Sequence, residues 1–259
     1  MLLAIDAGNT NTTFAVFEGD EILGEWRAGT SGAQTADEYF VWLSNLMSLV
    51  DISFEDIDSA IIASVVPQSL FNLRTLCRRY ARCEPIVVGE PDVDIGIRIL
   101  IEKERDVGAD RLVNAVAAHK HHGGPAIIVD FGTATTFDVI DADGNYHGGV
   151  IAPGINLSLS ALHMAAAKLP RIAIERPTKV IGDDTVSAML SGVYYGYVGL
   201  IEGLVSRIKQ DYGEQMKVLA TGGLAVMFSD GTDCLDAIDR DLTMKGLLEI
   251  SRRNPRTNA

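Results

Sequence analysis

Two short stretches of the chain set a carboxylate ahead of glycine and hydroxyl side chains at matching spacing. Asp6-x-Gly8-x-Thr10-x-Thr12-Thr13 lies near the N-terminus, and Asp130-x-Gly132-Thr133-x-Thr135-Thr136 lies near the middle. A glycine in such a turn lets the backbone approach a ligand where a Cβ would intrude. The turn's N–H groups, with neighbouring Thr and Asn side chains, can cradle phosphate oxygens without a lysine. The Asp at the head of each stretch would set a carboxylate beside those phosphates, able to hold a metal ion directly or through water. Either Asp alone could equally be a turn carboxylate bonding its own backbone. The recurrence of Gly and Thr behind both favours the ligand role.

The elements around the two stretches repeat as well. Residues 2–6 form an apolar run that feeds the first, 12–18 read as a second strand, Gly19-Asp20 as a hairpin turn, and 21–28 as a third strand. Thr35-Ala36-Asp37-Glu38 matches a capping box and predicts an amphipathic helix to about Val50. Residues 60–66 read as a buried strand stopped by Pro67, followed by a helix over about 68–82 and a strand over 85–88. After a helix at about 109–122 the order restarts: strands at 126–131, 134–140 and 145–151, a turn at Asp143-Gly144, a break at Pro153-Gly154, and a helix over about 156–168. Residues 170–184 read as a connector, a long helix starts at Thr185, and a strand at 217–220 runs into Thr221-Gly222-Gly223. Each half therefore reads βββαβα, an internal duplication in an α/β chain, with halves at 1–114 and 115–259. Two such loops facing each other across a cleft would clamp a triphosphate.

Bulk properties narrow the classes. With 259 residues, 47% of them apolar and 22% charged, the chain can bury a core in each of two domains. A net charge of -13 without a basic face excludes duplex nucleic acid as a partner. The arginines at 74, 78, 79 and 82, and those at 252, 253 and 256, read as a solvated helix face and a terminal tail. An anionic substrate would have to be held by backbone N–H groups, a few local cations or metal ions, because the global field repels it. Three cysteines without a C-x-x-C pair point to a reducing, cytoplasmic compartment. The apolar start ends too soon, at Asp6, for a secretory signal. The uncharged stretch 185–201, flanked by Asp183-Asp184 and Glu202, reads as a buried helix and gives no membrane partner. Gly192, Gly196, Gly199 and Gly203 share one face of that helix, a groove for an internal or an intersubunit contact. His119, His121 and His122 read as a helix C-terminus closed by Gly123.

The two stretches, with Gly222-Gly223, resemble the phosphate and adenosine motifs of the acetate kinase, sugar kinase, Hsp70 and actin superfamily. Ser64-Val65-Val66-Pro67, Gly108-Ala109-Asp110-Arg111, Gly148 to Gly154 and Thr185-x5-Ser191-Gly192, in that order, narrow the resemblance to type III pantothenate kinases. It covers essentially the whole chain. The fold it implies is a pair of ribonuclease-H-like, actin-like ATPase domains with mixed sheets and a cleft between them. The activity it implies is ATP-dependent phosphorylation of pantothenate to 4'-phosphopantothenate. ATP phosphates would lie on Asp6, Ala7, Gly8, Asn9, Thr10, Asn11, Thr12 and Thr13, with Thr133 assisting. Asp130 would help hold a monovalent cation, potassium or ammonium, and Asp6 would lie near magnesium. Gly108, Ala109, Asp110, Arg111 and Thr185 would line the pantothenate pocket, with Asp110 as general base, in a homodimer. Family members often carry a Tyr followed by Asn-Pro ahead of the Gly-Ala-Asp-Arg element. Ile101 to Val107 stands there instead, so that aromatic contact does not transfer. Acetate kinases are longer and sugar kinases carry larger insertions, which sets both behind the pantothenate reading. A non-catalytic relative would not need both loops and the Gly-Ala-Asp-Arg element intact.

Overall fold

The computed structural model describes residues 1–166 and 169–255, so Arg256 and positions 167 and 168 of the expected helix lie outside the described residues. The chain forms two compact units: Met1–His122 with the stretch from Asp241 onward, and Gly123–Arg240.

The first unit carries β1 (Leu2–Ala7), β2 (Asn11–Glu18), β3 (Glu21–Gly29), α1 (Ala36–Ser48), β4 (Ser59–Ser64), α2 (Pro67–Leu76), β5 (Ile86–Val87) and α3 (Ala109–His122). Its sheet runs β3-β2-β1-β4-β5, antiparallel across β1, β2 and β3 and parallel from β1 through β4 to β5. Burial on both faces explains why β1 reads as a continuous apolar run. Leu3, Ile5 and Ala7 pack with Tyr39, Leu43 and Met47 of α1 and Leu73 and Leu76 of α2. Leu2 and Ala4 pack on the opposite face with Val113 and Val116 of α3. Thr35 caps α1 as the sequence requires, its Oγ1 accepting from Glu38 N while Glu38 accepts from Thr35 N at 2.7 Å. Pro67 opens α2 at its first position, where a missing N–H does no harm. The helix expected to run on to residue 82 ends in a π-helical turn at Cys77–Ala81, closed by Arg82 in the left-handed region.

The second unit carries β6 (Ala126–Phe131), β7 (Ala134–Ile140), β8 (Tyr146–Pro153), α4 (Ile155–Ala165), α5 (Thr185–Tyr212), β9 (Lys217–Thr221), α6 (Ala225–Ser229) and β10 (Ala237–Ile238). Its sheet runs β8-β7-β6-β9-β10, the same order strand for strand as the first. Helix α5 is long and apolar enough in composition to cross a membrane. It is instead a core helix: Tyr194, Tyr197, Val198, Ile201 and Val205 are buried against Ile127, Val129 and Phe137 of the sheet.

The boundary differs from the expected one after residue 114. Helix α3 is continuous to His122 and stays with the first sheet. The C-terminal helix α7 (Leu242–Arg253), which the periodicity reading did not reach, returns to that unit. There Met244, Leu247 and Ile250 join the face covered by α3. The two helices meet so closely that a Cβ on Gly246 would lie 2.1 Å from Val113 O. Gly246→Ala should therefore destabilise the protein by about 1–3 kcal/mol through overpacking, outweighing a helix-propensity gain of about 1 kcal/mol. A urea midpoint at or above that of the parent would show that the crossing is not tight.

Candidate active site

The first loop is built by the end of β1. Alternation along the strand sets Asp6 on the face of Leu2 and Ala4, the face that α3 covers. Beyond Ala7 the chain turns, with Gly8 N donating to Asn11 O at 3.0 Å. Asn9, Thr10 and Asn11 are exposed, whereas Thr12 and Thr13 are buried in β2 opposite Ala7 and Asp6. Of the expected ATP contacts, Gly8 to Asn11 form the accessible edge. Thr12 serves the loop from beneath, its hydroxyl paired with Thr30 Oγ1 at 2.9 Å.

Beside that edge stands the start of α3. Parallel pairing of β1 with β4 continues past the strands through Val65 N, which donates to Ala7 O at 3.1 Å. Gly108 in turn abuts Val65: a Cβ there would lie 3.3 Å from Val65 Cγ1 and 2.6 Å from Asp110 Oδ1. The Gly-Ala-Asp-Arg element is thereby fixed at the C-terminal edge of the parallel strands, where open α/β sheets bind ligands. Asp110 Oδ1 accepts from Arg111 N at 2.8 Å. Burial pushes the Asp110 carboxyl above the usual carboxylate range, opposed by that N–H and by the Arg111 charge. A carboxylate so placed is a better proton acceptor than one in water.

In the second unit Asp130 is the penultimate residue of β6, paired with Thr136 of β7 and Thr221 of β9. Gly222 has φ 88°, and a Cβ on it would stand 2.6 Å from Asp130 Oδ1 and 2.7 Å from Phe131 O. Gly222 therefore packs directly against the Asp130 carboxylate and the Phe131 carbonyl, an approach any side chain would block. Thr133 sits in the turn that follows, its carbonyl accepting from Gly154 N at 3.2 Å. Thr135 is buried and hydrogen-bonded to the Tyr197 phenol. Thr185 is the exposed first residue of α5, behind Asp184, whose Oδ1 accepts from Ser187 N at 2.8 Å. The connector closes on that helix start, because a Cβ on Gly182 would lie 2.3 Å from Ala188 N.

The structure thus brings residues 6–13 and 108–111 together in the first unit, and sets Asp130, Thr133 and Thr185 in the second. No group of three or more His, Cys, Asp or Glu suited to a metal occurs among the described residues. Val65 comes from the Ser64-Val65-Val66-Pro67 element, whereas Thr30, Tyr39 and Tyr197 have no motif of their own. The one sequence signal for them is the matching register of Thr12 and Thr135.

Comparison with known proteins agrees with this geometry. A family model described as type III pantothenate kinase matches residues 2–207. Relatives of that name from Paramagnetospirillum magneticum and Caulobacter vibrioides are 64% and 58% identical, each alignment covering 98% of both chains. Among solved structures, the activator of the 2-hydroxyisocaproyl-CoA dehydratase from Clostridium difficile with bound ADPNP superimposes with a TM-score of 0.56 at 11% identity, over 100% of this chain and 99% of that one. At that identity the likeness speaks for the actin-like ATPase fold alone.

Proposed function

The chain belongs to the type III pantothenate kinase family, and on that premise we propose how its residues divide the work. The enzyme transfers a phosphoryl group from ATP to pantothenate, in coenzyme A biosynthesis. The observation that carries the assignment of roles is the contact of Val65 with both Ala7 and Gly108, which sets a phosphate-type loop beside a partly buried carboxylate.

Phosphoryl transfer rests mainly on positioning and charge stabilisation. The exposed backbone of Gly8 to Asn11 takes phosphate oxygens of ATP, and Thr133 offers a hydroxyl for another. Asp110 accepts the proton of the attacking primary hydroxyl and aligns that oxygen. Gly108, Ala109, Arg111 and Thr185 hold pantothenate. A magnesium ion held by Asp6 and by the phosphates themselves would neutralise charge developing on the transferred group. Magnesium is commonly bound in this way, through one or two carboxylates plus substrate phosphates. Asp130, at the head of the second loop, would help hold a monovalent cation, potassium or ammonium. The reducing cytoplasm is the compartment that suits three free cysteines.

The glycine stripe of α5 supports a homodimer. Gly192, Gly196 and Gly199 have nothing within 4 Å of the position a Cβ would take, and Gly203 meets only its own Arg207. The groove is therefore not filled by this chain's described residues. Each such glycine costs about 1 kcal/mol against Ala in a helix, which close approach of a second copy would offset. Val186, at the start of the same helix, is 42% exposed.

Three measurements bear on this. ADP release should depend on pantothenate and fall sharply when potassium is replaced by tetramethylammonium at equal ionic strength; equal rates in both buffers would remove the cation from Asp130. Asp110→Asn should lower turnover about 100- to 10,000-fold while pantothenate binding is kept. A raised folded pKa means the native state binds the extra proton between the unfolded and folded values. The carboxylate's contribution to stability therefore declines as pH rises through that window and is unfavourable at neutral pH. The Asn variant should melt no lower than the parent, and turnover within a few-fold of the parent would make Asp110 a binding residue. Gly199→Leu should yield a folded monomer in light scattering, and an undisturbed dimer would place the interface elsewhere.

A further inference from the structure

The two loops stand in the same register but are backed differently. In the first unit Thr12 faces Ala7 and Asn11 faces Gly29; in the second Thr135 faces Phe131 and Ala134 faces Pro153. The residues that follow the third strand of each sheet, Thr30 and Gly154, are therefore equivalent. Each donates its main-chain N–H to the carbonyl of a loop threonine, Thr30 N to Thr10 O at 2.9 Å and Gly154 N to Thr133 O at 3.2 Å. The likeness ends at the side chain. A Cβ on Gly154 would lie 2.2 Å from Thr133 O and 2.8 Å from Gly132 O, so the second loop closes directly on backbone. In the first loop the corresponding space holds the Thr30 side chain, whose Oγ1 donates to Gly8 O at 2.7 Å and meets Thr12 Oγ1 at 2.9 Å.

We propose that Thr30 is a positioning residue for ATP, its hydroxyl fixing the plane of the Gly8–Asn9 peptide so that the Asn9 N–H points at the phosphates. This rests on the reading of residues 6–13 as the ATP loop. A peptide is planar and trans, so its C=O and N–H point to opposite sides. Gly8 O drawn inward onto Thr30 turns the Asn9 N–H outward, toward the exposed edge formed by Asn9, Thr10 and Asn11.

The proton count gives the bonds a direction. Thr30 has one hydroxyl proton and gives it to Gly8 O, so Thr12 must donate to Thr30. The fully buried Tyr39 phenol lies beneath this pair and makes no hydrogen bond of its own. Two linked donors thus run from buried Thr12 through Thr30 to one loop carbonyl, the first bond polarising the second. Donors set before the ligand arrives lose nothing to reorganisation when charge moves onto the phosphates.

Steady-state kinetics of the intact enzyme test this. Thr30→Val keeps the shape and the main-chain bond but removes the hydroxyl. It should raise the KM for ATP about 5-fold, the equivalent of one net hydrogen bond of about 1 kcal/mol. The KM for pantothenate should stay put, and Thr30→Ser should restore the KM for ATP. Gly8→Val, which blocks the loop itself, separates the two readings. If Gly8→Val raises the KM for ATP and Thr30→Val does not, Thr30 is only a strand end and the loop assignment stands. If neither moves it, the loop assignment falls and the proposal with it. Equal rises in both KM values with no rescue by Ser would mark a structural role and overturn the proposal.

Discussion

The hydrogen bond from Val65 N to Ala7 O is the last rung between β1 and β4, and the site depends on where it ends the ladder. Up to that rung each residue of β1 is paired on both sides, with β2 and with β4. Beyond it the chains part, one into the Gly8 turn and one toward Pro67, and the backbone groups released there need partners. Some find them locally, as Gly8 N does in Asn11 O. Others face outward on the exposed Asn9 to Asn11 edge, where an anion can complete them. Because Val65 also bears on Gly108, the same point fixes the first turn of α3 and with it Asp110. One parting of two strands thus sets the Gly8 turn and Asp110, the proposed phosphate loop and base, beside each other.

The duplication repeats the ladder but not the backing. Both sheets share strand order and register, and both put a buried threonine under the loop, Thr12 in one and Thr135 in the other. Each threonine meets a tyrosine from a helix, Tyr39 of α1 and Tyr197 of α5. Behind the loops the units diverge, with a side chain at Thr30 and only hydrogen at Gly154. A loop closed on backbone has little freedom to adjust, whereas one closed on a hydroxyl has a partner that can rotate to follow it. In the tighter loop Gly222 is pressed against Asp130 and Phe131, which leaves that carboxylate little room to move.

Much of this was legible because the signals were local. The alternating and continuous apolar runs located β1, β2, β4, β6 and β7 to within a residue or two, and Thr35-Ala36-Asp37-Glu38 gave the start of α1. The Gly and Thr spacing exposed the duplication. What stayed hidden is non-local. Helix α7 belongs to the first unit only because Gly246 lets it cross α3, a contact between distant parts of the chain. Thr30 sits past a strand end with nothing in its neighbours to mark it, and its role comes from the fold returning it to Gly8. The glycines of α5 were visible as a stripe, but only the structure shows their groove open within the chain.

The acidity of the protein is consistent with this way of holding phosphate. At a net charge of -13, long-range attraction cannot gather a triphosphate, and free ATP is repelled more strongly than ATP already carrying cations. Main-chain N–H donors act only at contact and do not themselves titrate in the physiological range. Protonation sensitivity then falls on the groups that do titrate near the loop. Of these, Asp110 is the one that burial holds above the usual carboxylate range. Its place at the start of α3, where the helix dipole favours a negative charge, limits how far that rise can go. Desolvation raises the proton affinity of the carboxylate while the helix start and the Arg111 N–H oppose it, a balance that suits the proposed role of proton acceptor.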